Sequence, residues 1–276
     1  MKTIDLPLQD VEIESVFIEC INGYRSTSTV NELLAYATFV AKDSVKYTEL
    51  IPHSLKSFHP AKTPPETAKK LSGLYTDKFA KNGSPGRPYY EEIIAGAPNG
   101  ICPLCGIGEA STLDHYLPKS AYPTLSITPA NLIPACFDCN HKKGSASKSS
   151  TLPIHAYLDE IPHGRWLYAN FSSSFTIDYY VLCPSSWNYD LQIRINNHFN
   201  VYGLRKKYAA HASELLAEKK PFWKKALAAL GADQLPQLMR DELDGFRNVD
   251  ENSWKSALLE CLILSENTNA WLISDS

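Results

Sequence analysis

Residues 102–144 read CPLCGIGEASTLDHYLPKSAYPTLSITPANLIPACFDCNHKKG. Two Cys-x-x-Cys pairs, Cys102/Cys105 and Cys136/Cys139, bracket this stretch, with residues 106–135 between them. Four thiolates are the number that a closed tetrahedral structural metal site needs, and soft sulfur donors favour zinc. Two residues between ligands let each pair form a tight knuckle aimed at one ion. Gly106 follows the first pair, where a knuckle calls for positive φ. A filled sulfur shell leaves no position for water, so the four cysteines are expected to be structural. The stretch has little periodicity and much turn chemistry, as suits a small unit in which ligand bonds replace apolar core.

The chemistry-bearing residues lie between and just after the knuckles. They are Leu113-Asp114-His115-Tyr116-Leu117-Pro118-Lys119-Ser120, Asn131-Leu132-Ile133 and Cys139-Asn140-His141-Lys142-Lys143-Gly144. In order and spacing these resemble the HNH (ββα-metal) endonuclease superfamily: Asp-His, then Pro and Ser, then Asn-Leu, then Cys-x-x-Cys with Asn or His and Lys-Gly. The resemblance implies that His115 is the general base and that Asp114 ligates a catalytic metal. It makes Asn131 the central residue that holds the loop and orients the base, and Asn140 the second protein ligand. His141, next door, is the alternative for that last role. The segment YPTLSITPANLIPAC is typical of a bacterial branch often encoded beside an ATPase in two-component anti-phage systems of the Septu type. That implies a partner ATPase subunit and a role in defence.

These residue types suit phosphodiester hydrolysis. The reaction needs an activated water, neutralised phosphoryl oxygens and a stabilised leaving oxygen. An imidazole can deprotonate water near neutral pH. A divalent ion on hard oxygen ligands meets the other two needs, and a carboxylate with an amide oxygen suits Mg²⁺ or Mn²⁺. Adjacent residues on a strand point to opposite faces, so Asp114 and His115 are expected on different sides of the backbone. Lys119, Lys142 and Lys143 are candidates for phosphate contact, with a solvated charged face as the alternative. His155 is expected to be structural.

Outward from this centre, residues 9–57 read as helical, with Ile13, Val16, Phe17, Cys20 and Ile21 on one face and a further helix from Asn31 to Phe39. HPAKTPPET at 59–67 is a break, Pro65 opens another helix, and Tyr89–Ala95 is a short one. Phe171–Val181 and Leu191–Ile195 read as strands. Helices are expected at Leu204–Leu216, around Pro221–Leu230 with a stop at Gly231, and at 233–247 and 251–265. KKGSASKSS at 142–150 is expected to be a flexible loop. The basic clusters at 205–207 and 219–225 either extend a phosphate-binding surface or form a solvated face, and most of the five tryptophans should be core or interface anchors.

Composition sets the bounds. With 276 residues and 44% hydrophobic residues the chain can bury a core. It has no apolar run long enough for a transmembrane helix and no secretory leader, so a cytoplasmic location is expected. Seven cysteines, two pairs and three single residues, read as metal ligation in a reducing compartment. Cys20, Cys183 and Cys261 are expected to be unreactive. A net charge of −3 argues against coating nucleic acid by charge alone. The expected fold is α+β. Residues 1–98 form a helical N-terminal region, 99–150 the HNH unit stapled by zinc, and 151–276 a C-terminal region with a small sheet and helices. The expected function is metal-dependent cleavage of DNA or RNA. The rival is a non-catalytic zinc module that binds nucleic acid or protein, and such a module has no need of Asp114, His115, Asn131 and Asn140.

Overall fold

The computed structural model describes residues 3–50, 58–144 and 152–274. Residues 51–57 of the expected N-terminal helical stretch and 145–150 of the expected loop lie outside them. By contacts the chain divides into two compact units, Met1–Glu160 and Ile161–Ser276.

The first unit begins with α1 (Ile13–Asn22), α2 (Thr27–Leu34) and α3 (Ala37–Leu50). The expected helix at 31–39 is instead divided between α2 and α3. Ser26 caps α2 by accepting from Thr29 N at 3.2 Å. Pro65 opens α4 (Pro65–Leu74), which runs into a π-helical turn at Tyr75–Phe79, and α5 (Arg87–Ala95) follows. The segment around the cysteine pairs contributes β1 (Thr112–His115), β2 (Leu132–Ala135) and α6 (Phe137–Lys143). β1 and β2 pair antiparallel with Asp114 opposite Ile133 and His115 opposite Leu132. Leu113, Leu132 and Ile127 join the core formed by Phe17, Ile21, Leu71 and Phe79. The helices and the hairpin therefore share one interior.

The second unit holds a hairpin, β3 (Leu167–Phe171) with β4 (Ile177–Val181), then α7 (Tyr189–Val201), α8 (Leu204–Leu230), α9 (Leu235–Val249), α10 (Trp254–Leu264) and α11 (Asn267–Ile273). Two expectations are corrected here. Leu191–Ile195 is helical: Asn188 caps α7 by accepting from Asp190 N, and Ile195 and Phe199 bury at helical spacing. Pro221 does not divide α8, because Leu216 and Trp223, two turns apart, bury on one side of a continuous helix. Gly231 ends it at φ +84°. Trp166, Trp187, Trp223 and Trp271 are buried. Among the described residues no helix is long and apolar enough to cross a membrane.

Candidate metal and catalytic centre

The four knuckle cysteines converge. Their sulfurs are buried and lie within 4.8 Å of one another. Sγ of Cys105 and Sγ of Cys136 are 3.8 Å apart. A tetrahedron with metal–sulfur bonds of about 2.3 Å has edges of about 3.8 Å, so the cluster has the dimensions of a four-thiolate site. Gly106 sits at φ +69°, and its N–H bonds Cys102 O at 2.8 Å. Gly108 packs so tightly on the other knuckle that a Cβ there would stand 2.8 Å from Cys136 Cβ. The donor set and its packing fit one tetrahedral ion.

Cys136 and Cys139 also start α6, which fixes that helix against β1. Tyr116 N donates to Asn131 O at 2.8 Å and continues the hairpin ladder. That phase leaves the carbonyls of Leu113 and His115 directed off the free edge of β1. α6 covers this edge. Asn140 Nδ2 donates to Leu113 O at 3.3 Å and to Thr112 Oγ1 at 3.1 Å. The Lys143 ammonium bonds His115 O and, at 2.8 Å, Asp114 Oδ2. Asp114 and Lys143 are both buried. Burial raises the Asp114 carboxyl above its ordinary value, against the pull of Lys143. α6 thus sets Lys143 on the buried Asp114 carboxylate and engages the Asn140 nitrogen at the β1 edge, leaving the amide oxygen as the remaining donor of Asn140. A carboxylate oxygen and an amide oxygen are hard donors of the kind a small divalent ion takes.

His115 leaves the opposite face of β1. Its Nε2 lies 2.8 Å from Ser126 O. A carbonyl only accepts, so Nε2 carries the proton and Nδ1 holds the lone pair. Burial, with Lys119 and Lys143 nearby and the Ser126 bond opposing, pushes the imidazole pKa down to about 3, and the ring is neutral. Ser126 belongs to the loop that starts at Tyr116, and Asn131 closes that loop. The fully buried Asn131 side chain accepts from Leu117 N at 2.7 Å and donates to Leu117 O and Leu125 O at 3.0 and 3.2 Å. The helices hold the loop from outside: Ser126 Oγ donates to Leu71 O, and Thr124 Oγ1 donates to Asp43 Oδ2 at 2.6 Å.

The remaining candidates are placed as follows. Lys119 is half-buried, its ammonium 4.9 Å from the centroid of the Tyr75 ring. Lys142 is at the surface, 3.3 Å from Asp138. Lys143 points inward, as described. His141 is exposed and stacks on Phe137, away from β1. His155 is fully buried between Tyr47 and Tyr116, a structural setting. In the basic clusters Arg205 pairs with Asp178 and Lys219 with Glu242. Three contributors were not read from sequence. Ser126 acts through its backbone carbonyl, Asp43 through a distant loop, and Tyr75, whose ring centroid is 4.4 Å from that of His115, through a π-helical turn. No residue pattern announces such contacts.

A family model described as HNH endonuclease matches residues 102–146. Protein ea31 of Escherichia phage lambda is 31% identical over 219 residues, covering 73% of this chain and 74% of that protein. Septu protein PtuB of Bacillus thuringiensis is 34% identical over 91 residues, 30% of this chain and 35% of that protein. No solved structure matches the chain.

Proposed function

We propose, because the chain belongs to the family of protein ea31 of Escherichia phage lambda and carries an HNH endonuclease domain at residues 102–146, that it hydrolyses phosphodiester bonds of nucleic acid at a centre built from Asp114, His115, Asn131 and Asn140. The observation that carries this reading is the pinned imidazole. With Nε2 held by Ser126 O, the ring offers Nδ1 as a base in its neutral form. His115 takes a proton from water there as the water attacks phosphorus. The 3′-oxygen leaves, and the products carry a 5′-phosphate and a 3′-hydroxyl. Asp114 and Asn140 would hold Mg²⁺ or Mn²⁺ by oxygen. Such an ion would supply charge neutralisation for the developing negative charge. Asn131 keeps the Tyr116–Ser126 loop closed and so maintains the carbonyl that orients the base. Lys119 contacts a neighbouring phosphate.

The four cysteines hold zinc as a staple, outside the reaction. The likeness to the Septu protein supports a role in defence, and the partner ATPase that the sequence resemblance implies would govern when the nuclease cuts. DNA and RNA both remain substrates of this proposal. Purified chain incubated with supercoiled plasmid and with total RNA tests it. Cutting is expected with Mg²⁺ or Mn²⁺ and none with excess EDTA. Undiminished cutting in EDTA would overturn the metal-dependent mechanism.

A further inference from the structure

We propose that Tyr75, outside the HNH segment, is a positioning residue for His115. The inference rests on the reading of His115 as base. One hydrogen bond from Nε2 to Ser126 O fixes a point on the imidazole but leaves its plane free to turn about that bond. Tyr75 supplies the second constraint. The two ring centroids are 4.4 Å apart at an interplanar angle of 72°, an edge-to-face contact.

Tyr75 is itself held on several sides. Its Oη donates to Leu113 O at 3.3 Å, tying it to the strand that carries His115. Its ring stacks on Phe79 with centroids 6.0 Å apart, and the Lys119 ammonium lies 4.9 Å from its own centroid. The backbone underneath is π-helical over Tyr75–Phe79, closed by Ala80 N to Tyr75 O at 2.7 Å. Such wide turns are rare and recur at functional sites. Here the turn lets Phe79 bury in the core while Tyr75 rests against the hairpin.

The neighbouring residues serve the same loop. Ser126 Oγ donates to Leu71 O at 2.7 Å, and Ser72 Oγ to Lys119 O at 2.8 Å. Residues 71–75 thus grip the acceptor of the base, the base ring and the backbone of the candidate phosphate-binding lysine. The HNH motif is completed from α4 and its π-helical extension.

The test uses the full chain, labelled with ¹⁵N-histidine and free of added divalent ion. In the wild type the His115 ring nitrogens should give the separated shifts of a single tautomer protonated at Nε2. Tyr75→Leu should draw the two shifts together as the ring samples other orientations. Tyr75→Phe, which keeps the ring, should restore the wild-type signature. In single-turnover cleavage of a labelled DNA or RNA oligonucleotide with Mn²⁺, Tyr75→Leu should lower the maximal rate by about 10–100-fold, and half-saturation should move less than about twofold. Tyr75→Phe should stay within about threefold of wild type. If Tyr75→Leu does not fold, Tyr75→Met replaces it, keeping apolar volume without the ring. Wild-type ring signals and rate in the Leu or Met variant would overturn the proposal. A His115→Ala protein that cuts like wild type would instead sink the reading of the base. An inactive His115→Ala beside a fully active Tyr75→Leu would sink only the positioning role.

Discussion

At the scale of single residues, the decisive group is the imidazole of His115. It is neutral because burial disfavours its charged form, and its tautomer is set because the acceptor at Nε2 is a carbonyl. A ring held neutral near pH 7 keeps its lone pair available, while the same burial lowers its basicity. The ring should therefore show no titration near 6.5, the ordinary histidine value, and its Cε1–H resonance should stay constant from pH 8 to pH 5. A sigmoidal shift centred near 6.5 would contradict this. The sign for stability follows. Below about 6.5 the unfolded chain binds a proton at this histidine that the folded chain refuses until about pH 3, so the stability it contributes is lost as pH falls through that window. Asp114, His115, Asn131 and Asn140 were chosen for the proposed centre from their order and spacing and the family resemblance these carry. Their setting was not legible in the sequence: Ser126 acts through its main chain, and a backbone carbonyl has no residue code. Lys143, read from sequence as a phosphate candidate, lies buried on Asp114, since only the fold brings residues 29 positions apart into contact.

At the scale of elements, the four-cysteine cluster sits at the start of α6, α6 covers the free edge of β1, and the Tyr116–Asn131 loop is clipped to α3 and α4. Asp43 on α3 is the clearest clip. It is buried and accepts from both Ala61 N and Thr124 Oγ1 at its Oδ2, at 2.8 and 2.6 Å. Asp43→Ala removes two charge-assisted bonds and should cost about 2 kcal/mol, or roughly 6 °C in Tm by thermal unfolding. An unchanged Tm would show that the clip is not needed. Helix starts were readable where a proline stood at the first position, as at Pro65, and Gly231 was readable as a stop. Strand and helix were confused at Leu191–Ile195, where β-branched residues in a short window mimic a strand while the burial of Ile195 and Phe199 follows a helical period. Pro221 misled in the other direction, because packing of Trp223 outweighs the one bond that the proline removes from α8.

At the scale of the whole molecule, two compact units divide the chain at Glu160 and Ile161, and the first contains every residue of the proposed centre. The nuclease motif occupies a small part of the chain, yet its hairpin shares a core with the N-terminal helices, and four buried cysteines lock its other end. A net charge of −3 gives the chain little sequence-independent grip on nucleic acid. On the proposed function, this scaffold would hold one imidazole where a phosphate ester and an oxygen-ligated cation meet. The most direct measurement is single-turnover cleavage of a labelled oligonucleotide by wild type and His115→Ala at saturating Mn²⁺, with bound zinc counted in both by native mass spectrometry. The expected result is one zinc per chain in each protein and a rate at least about 100-fold lower in the variant. Equal rates, with zinc retained in both, would contradict the account.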